Sequence, residues 1–283
     1  MALLGRVKKR LLHYSWELAY GAFSSTILYD GIACESLHII KNPYKGQKWF
    51  ADPFILEYND DIVTFLVEEF DYSFGHGRIA RIAVDRHNDT ITECSIILEL
   101  PTHLSFPAIY RKDGKVYVHP ENFASGKSVI YEYNRQEDKL INPVTVCNLP
   151  LTDAIIRKYG DGYEISATYG SDPNGSKLNK LVSRDFLGLY KEESVDNYPN
   201  KSARMAGYYI EAGGKIVRPA QDCNGDYGRS VWFYEGMRVI GRLIPWGSYA
   251  GIHTFNTLDD IFVIDLKKYD YPLIYNFKNK IEK

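Results

Sequence analysis

The first twenty residues carry a hydrophobic pattern that differs from the rest of the chain. Apolar side chains recur there at steps of three and four, which predicts an amphipathic helix over residues 2–20. The recurring residues are Leu4, Val7, Leu11, Tyr14 and Leu18. Because the opposite side is basic, such a helix lies either on an anionic membrane surface or against the protein itself, and both interpretations stay open. We therefore predict a basic helical segment over residues 1–24, followed by one domain over residues 25–283.

From residue 25 onward, short apolar runs alternate with turn residues. In residues 51–70 two apolar runs flank the sequence Asn59-Asp60-Asp61, which predicts an antiparallel hairpin. A three-residue turn would place Asp52 opposite Glu68, and a two-residue turn would place it opposite Glu69. Either register brings acidic side chains together at the open end of the hairpin.

This hairpin pattern recurs four times, at a spacing of roughly fifty residues. The copies lie within residues 105–122, 152–168, 204–222 and 253–265. The length between copies leaves room for two further strands in each repeat. The pattern therefore predicts an all-β fold, a five-bladed β-propeller with four strands in each blade. We expect a strand from residues 26–29 or 36–40 to pair into the last blade and close the ring.

This topology predicts which side chains share a face. The first strand of each blade runs along the axis and the second returns beside it, so the start of one and the end of the other lie on the same side. The predicted face carries Asp52, Glu68, Glu69, His103, Ser105, Glu121, Asn122, Asp153, Arg204, Gln221, Asp222 and His253. The opposite ends of the hairpins carry ordinary turn residues.

Carboxylates at the mouth of an apolar channel suit glycosyl chemistry. One acid protonates a leaving group, while another stabilises a cationic sugar or activates the attacking oxygen. We predict Asp52 as base or oxocarbenium stabiliser, with Glu121 and Asp153 as its catalytic partners and Glu68 and Glu69 beside them. The residues predicted to bind substrate are His103, Ser105, Asn122, Arg204, Arg218, Gln221, Asp222 and His253, with Arg204 or Arg218 contacting a diphosphate. A structural network in which the arginines and Gln221 satisfy buried carboxylates stays open as the alternative.

Composition and charge limit the kinds of molecule that the protein is expected to bind. The chain has 283 residues and a formal net charge of −2, so bulk charge gives no reason to expect nucleic acid as a partner. Its four cysteines are scattered without metal-ligand spacing, so no metal site or cofactor is predicted, although His253 is a candidate ligand for an ion in the channel. No signal-peptide pattern or membrane-spanning apolar run is present, and we expect a cytoplasmic protein, peripheral on the inner face of the membrane.

Several short runs resemble those of a known family. They are Phe-Ala-Asp-Pro-Phe at 50–54, Glu-Glu at 68–69, His-Leu-Ser-Phe-Pro at 103–107, Pro-Glu-Asn at 120–122, Arg-Met-Ala-Gly at 204–207 and Arg-Pro-Ala-Gln-Asp-Cys at 218–223. Over residues 45–270 the chain resembles the five-bladed propeller domain of glucosamine inositolphosphorylceramide transferase-like proteins, whose bacterial relatives are associated with surface-polysaccharide synthesis. It departs from the family pattern at Asn122, where serine is expected, and at Ala154, where proline is expected.

A more distant resemblance is to the five-bladed arabinanase and xylosidase hydrolases. Their base aspartate matches Asp52 by motif, whereas Glu121 and Asp153 correspond to the other two acids only by position. The resemblances imply a glycosyltransferase that moves a sugar, such as galactofuranosyl, from a nucleotide-sugar donor to a saccharide or lipid-linked acceptor. Two alternatives stay open: a glycoside hydrolase acting on furanosides or pentosides, and a carbohydrate-binding propeller without activity.

Overall fold

The computed structural model describes residues 13–270, which form five four-stranded antiparallel sheets arranged as the blades of a propeller. The strands are β1 (Tyr14–Ala22), β2 (His38–Ile39), β3 (Lys48–Tyr58), β4 (Ile62–Asp71), β5 (Gly77–Asp85), β6 (Thr90–Leu98), β7 (Ser105–Lys112), β8 (Lys115–Glu121), β9 (Ser128–Asn134), β10 (Lys139–Cys147), β11 (Leu151–Tyr159), β12 (Gly162–Tyr169), β13 (Lys177–Ser183), β14 (Lys191–Asn197), β15 (Ile210–Ala212), β16 (Lys215–Asp222), β17 (Ser230–Glu235), β18 (Arg238–Leu243), β19 (Phe255–Leu258) and β20 (Ile261–Tyr269). A short helix, α1, spans Ile27–Asp30, and two 3-10 turns span Cys34–Ser36 and Phe123–Ser125. The predicted all-β five-bladed propeller is confirmed.

Blades I to IV follow the chain as β3–β6, β7–β10, β11–β14 and β15–β18, and blade V combines β19 and β20 with β1 and β2. Strand β1 pairs with β20 along its whole length, from Tyr14 opposite Tyr269 to Ala22 opposite Ile261. Strand β2 then pairs with the other edge of β1. Backbone hydrogen bonds between the two ends of the described chain therefore close the ring.

The predicted helix is wrong for residues 14–20, which form most of β1; the rest of that prediction, up to residue 12, lies outside the described residues. Residues 18–21 are all buried, so both faces of β1 are covered: Leu18 and Tyr20 lie on one face and Ala19 on the other. Pairing with β20 satisfies the backbone of these residues, a contribution that local spacing does not reveal. Strand β1 is consequently part of blade V.

The prediction for the closing strand is confirmed for residues 36–40, which contain β2, and wrong for residues 26–29, which run into α1. Ile27 and Leu28 of this helix are buried in the cluster that also contains Leu243 of β18. Packing of apolar side chains against the edge of blade IV, rather than pairing of backbone, therefore holds this segment in place. Within the described residues, no helix is long and apolar enough to cross a membrane.

The innermost strands of blades I to III share a β-bulge. In blade I, Ala51 lies opposite Glu68 and Phe54 opposite Leu66, so two residues, Asp52 and Pro53, face one residue of β4. The expectation that Asp52 lies directly opposite Glu68 or Glu69 is therefore wrong. Backbone φ is +49° at Asp52, and the bulges of blades II and III contain Phe106 (+45°) and Asp153 (+46°). A left-handed residue leaves the regular alternation of a strand, and its side chain takes a new direction.

Apolar side chains fill the spaces between neighbouring blades. Blades V and I meet through buried Leu18, Tyr20, Phe50, Phe65 and Val263. Blades IV and V meet where the Phe233 and Phe255 rings pack edge to face with centroids 5.2 Å apart. Close packing of this kind fixes the five inner strands relative to one another, and so fixes the polar side chains at their ends.

Candidate active site

Four of the predicted acids lie buried on the axis. Asp52 and Asp153 lie in the bulges of β3 and β11. Glu68 and Glu121 lie in the C-terminal halves of β4 and β8. Their exposed fractions are 3% for Asp52, 5% for Glu68, 7% for Glu121 and 1% for Asp153. Removing four carboxyl groups from water is costly, so their protonation and their partners decide what the site can do.

Arg204 joins two of these acids. Its Nε and Nη2 atoms donate to the two oxygens of Asp153 at 2.5 and 3.1 Å, and Nη2 also lies 3.3 Å from Glu121 Oε2. The side-chain amide of Gln221 donates to Asp153 Oδ2 at 2.5 Å, and the backbone amide of Asp153 donates to Glu121 Oε2 at 2.9 Å. The structure thus brings together four predicted residues from blades II, III and IV.

The pKa values of Glu121 and Asp153 are shifted in opposite directions. Burial opposes ionisation of Asp153, but the charge and hydrogen bonds of Arg204 hold its pKa below the ordinary value. Burial, followed by the negative charge of Asp153, raises the pKa of Glu121 well above its ordinary value. A carboxyl with a raised pKa therefore lies beside one with a lowered pKa, which is the pattern expected of a proton donor with an anionic neighbour.

Asp52 belongs to a second group, which includes His253. The ring of His253 has Nε2 at 3.2 Å from Asp52 Oδ1 and Nδ1 at 2.6 Å from Asp265 Oδ2, although neither contact has the angles of a hydrogen bond. Asp265 accepts the backbone amides of Asp52, His253 and Thr254, each at 3.0 Å. Asp52 Oδ2 accepts the amide of Phe106 at 3.1 Å. The backbone of Asp52 is therefore bound by Asp265 of blade V, and its side chain is bound by the backbone of blade II.

Burial is the main cause that raises the pKa of Asp52 well above its ordinary value, and the charges of Asp153 and Glu68 add to it. Burial also opposes ionisation of Asp265, but His253 keeps the pKa of Asp265 below its ordinary value. Sequence reasoning missed Asp265 as a site residue. The available signal was its place near the end of the second strand of the fifth hairpin, which corresponds to the positions of Glu68 and Glu121.

Glu68 faces His103. The backbone amide of Gly77 donates to His103 Nδ1 at 2.9 Å, so the proton of the neutral ring lies on Nε2, which is 3.3 Å from Glu68 Oε1. Burial lowers the pKa of His103 and raises the pKa of Glu68 to about 8. Only glycine fits at position 77, because a Cβ there would lie 2.4 Å from the Leu104 carbonyl oxygen.

Three predicted site residues have other contacts. Glu69 lies on the opposite side of β4 from Glu68 and forms ion pairs with Lys48 at 2.6 Å and Arg78 at 2.9 Å. Arg218 donates to the carbonyls of residues 202 and 203 and lies over the rings of residues 198 and 234, and its role as a diphosphate contact stays a prediction. Asp222 accepts the side chain of Asn224 and the hydroxyl of Ser230, which fixes the loop after β16.

Some buried acceptors near the axis have no hydrogen-bond partner among residues 13–270. They are Asp52 Oδ1, Asn122 Oδ1 and Gln221 Oε1. Predicted Ser105 is also buried, paired in the ladder with Glu121. Because buried acceptors are normally satisfied, a ligand rich in hydroxyl donors would complete this site.

Among the described residues, the three side chains of Asp52, His253 and Asp265 could hold a metal ion, since their ligand atoms lie within 4.8 Å of one another. Both ring nitrogens of His253 already face carboxylate oxygens. An ion would therefore have to displace one of these contacts.

The fold and the buried acids define a class, the five-bladed β-propellers with an acidic centre on the axis. The chain belongs to the family described as "Glucosamine inositolphosphorylceramide transferase 1, N-terminal", whose model matches residues 30–241. The resemblance predicted from the short sequence runs is thereby confirmed.

Two plant proteins named "Glucosamine inositolphosphorylceramide transferase 1" are similar in sequence. The protein of Oryza sativa subsp. indica is 25% identical over 193 residues, which cover 65% of this chain and 26% of the relative. The protein of Arabidopsis thaliana is 24% identical over 191 residues, covering 65% and 25%. The chain thus spans about a quarter of the length of these relatives.

Solved structures of carbohydrate-active propellers are similar in fold. One, described as "The GH130 family of mannoside phosphorylases contains glycoside hydrolases that target beta-1,2 mannosidic linkages in Candida mannan", has a TM-score of 0.50 at 11% identity and covers 76% of this chain and 83% of that one. A xylan beta-1,4-xylosidase from Bacillus halodurans has a TM-score of 0.46 at 11% identity and covers 68% and 40%. At 11% identity, the likeness to the first of these structures shows the fold alone.

Proposed function

We propose that this protein is a glycosyltransferase that moves a sugar from a nucleotide-sugar donor to a saccharide or lipid-linked acceptor in surface-polysaccharide synthesis. The observation that carries the proposal is the pair of Glu121 and Asp153, a buried acid with a raised pKa beside an anion held by Arg204. The relatives' name, which is that of a transferase acting on inositolphosphorylceramide, supports a lipid-linked acceptor. We propose that the reaction takes place at a membrane surface, where such an acceptor is held.

In this proposal the two acid groups divide the chemistry. Glu121 donates its proton to the oxygen that leaves the anomeric carbon, and the anion of Asp153 stabilises the positive charge that develops on the sugar. Asp52, once ionised, accepts the proton of the attacking hydroxyl through Oδ1, the oxygen without a hydrogen-bond partner among residues 13–270. The bond from the anomeric carbon to the leaving oxygen breaks, and a bond to the acceptor oxygen forms.

Hydrolysis of a glycoside is the second candidate, with water as the attacking group. The contacts of the two predicted arginines favour it: Arg204 is held by Asp153 and Glu121, and Arg218 by backbone carbonyls. An arginine that is already bound is less able to hold a diphosphate. A galactofuranosyl donor remains our specific proposal within the transferase function.

A screen of nucleotide sugars by thermal unfolding separates the candidates. The panel contains UDP-galactofuranose, UDP-galactose, UDP-N-acetylglucosamine and GDP-mannose, and aryl glycosides are assayed in parallel. A ligand at a hundred times its dissociation constant adds about 2.7 kcal/mol of stability, so a true donor produces a clear shift. Release of free sugar from aryl glycosides, with no change in melting temperature by any nucleotide sugar, would reject the transferase function and support the hydrolase function. A non-catalytic binding propeller would bind saccharide equally well after removal of the Asp52 and Glu121 carboxyls.

A further inference from the structure

A cavity of about 530 Å³ lies between blade V and blade I, outside the acidic centre. Its lining comes from the start of β1, the segment after β2, the start of β3 and the loop after β4. These strand ends lie on the same side of the propeller as Asp52 and Glu121. The volume falls within the range of about 300–1,000 Å³ that is usual for small-molecule sites.

Aromatic rings form one wall of this cavity. The indole of Trp49 stacks on Phe70 with centroids 4.8 Å apart and an angle of 1° between the planes, which fixes its orientation. Tyr72 is 39% exposed, and its ring lies 5.3 Å from the ring of His13. Flat rings that are held in place and reachable from solvent suit the apolar face of a sugar ring.

The remaining wall is polar: most of its charged side chains are paired with an opposite charge, and Lys41 Nζ donates to the backbone carbonyl of Asn88 at 2.7 Å. Glu17 lies 3.2 Å from Lys45 Nζ and accepts the hydroxyl of Tyr249 at 2.9 Å. Asp270 lies 2.8 Å from His13 Nδ1, and Lys48 is bound to Glu69. Side chains held in this way offer hydrogen-bond donors and acceptors in fixed positions. The chemistry therefore suits an uncharged, hydroxyl-rich ligand.

Trp16 connects the cavity to the acidic centre. It lines the cavity, and its indole stacks on the ring of His253 with centroids 3.9 Å apart and an interplanar angle of 18°. His253 in turn lies 3.2 Å from Asp52. Two side chains, Trp16 and His253, thus lie between the cavity and Asp52.

We propose that this cavity is a second subsite, which binds an uncharged sugar unit of the acceptor against Trp49 and Tyr72. The inference rests on the proposed glycosyl function, because it assigns the acceptor of that same reaction. It goes further by placing acceptor recognition between blades V and I, away from the acids that carry the chemistry.

Binding of neutral oligosaccharides tests the subsite independently of catalysis. Cellotriose, xylotriose, mannotriose and β-1,4-galactotriose are titrated onto the full chain and followed by saturation-transfer NMR. We expect at least one to bind, and expect Trp49→Ala and Tyr72→Ala each to weaken binding roughly tenfold through loss of the stacking surface. Tyr72 lies in an exposed loop, so this variant keeps the test valid if Trp49→Ala does not fold.

Phe74→Ala is the matched control, because Phe74 is 48% exposed in the same loop but does not line the cavity. Failure of all four oligosaccharides to bind, or equal binding by Trp49→Ala and Tyr72→Ala, would overturn the subsite. Normal binding without any glycosyl transfer or hydrolysis would instead reject the proposed function and leave the subsite standing.

Discussion

At the scale of single residues, the acidic centre depends on Arg204. This side chain is 9% exposed and forms a two-point contact with Asp153, which is 1% exposed, while also reaching Glu121. A buried carboxylate that loses its cation keeps the full cost of leaving water. Arg204 therefore sets both the stability of the centre and the protonation of its two acids.

Replacing Arg204 with methionine should lower the free energy of unfolding by about 3–5 kcal/mol, because Asp153 is left buried and unpaired. Chemical denaturation in urea measures this loss. The double variant Arg204→Met with Asp153→Asn removes the unpaired charge and should regain part of the stability. Wild-type stability in the single variant would contradict the assigned network.

Glu68 gives the protein a pH dependence of known sign. Its pKa rises from an ordinary 4.5 to about 8 on folding, so the folded state binds more protons than the unfolded state between these values. The contribution of Glu68 to the free energy of unfolding has its full value below pH 4.5. It decreases as the pH rises towards 8, by about 1.4 kcal/mol for each pH unit. Glu68→Gln should flatten this part of the profile, measured as unfolding free energy against pH.

The matched control for this profile is Glu57→Gln, at an exposed glutamate of the same blade. Equal slopes for wild type and Glu68→Gln between pH 5 and 8 would show that Glu68 is ionised in the folded protein.

At the scale of elements, β1 closes the ring and the bulges position the acids. Ala19, at the middle of β1, is fully buried and lies opposite Ile264 of β20 and Ile39 of β2. The bulges of β3 and β11 turn Asp52 and Asp153 out of the strand alternation and towards residues of other blades. The site thus exists only in the closed ring.

Ala19→Pro should therefore destabilise the whole propeller by about 3 kcal/mol or more, because proline removes a backbone donor from an interior strand. A lower melting temperature and faster proteolysis are the expected observations. Ala19→Ser keeps the backbone amide and should cost less. A melting temperature of Ala19→Pro equal to that of the wild type would show that β1 does not hold the ring together.

These elements also show which parts of the fold can be predicted from the sequence. The five hairpins and their shared face were predictable, because turn residues and apolar alternation are local features that repeat at a regular spacing. Strand β1 was not, because Tyr14 and Leu18 fit both a helical and a strand period, and the decisive partner, β20, is distant in sequence. The bulge at Asp52 was also missed, since an antiparallel register calculated from the turn assumes an unbroken ladder.

At the scale of the whole molecule, side chains from all five blades meet at one acidic centre. Blade I contributes Asp52 and Glu68, blades II and III Glu121 and Asp153, and blades IV and V Gln221 and Asp265. The chain shares its family with plant proteins named "Glucosamine inositolphosphorylceramide transferase 1" and spans about a quarter of their length. The buried acid Glu121 is the proposed proton donor of this centre.

The most direct test of this account is the rate of glycosyl-bond cleavage by Glu121→Gln, followed as sugar transferred or released. The substrate is the nucleotide sugar or aryl glycoside that the wild type uses best. Glutamine keeps the shape and the acceptor oxygen of Glu121 but cannot donate an acidic proton, so we predict a fall of about a hundredfold or more at unchanged stability. Glu57→Gln should cleave normally. A rate for Glu121→Gln equal to that of the wild type would contradict the account.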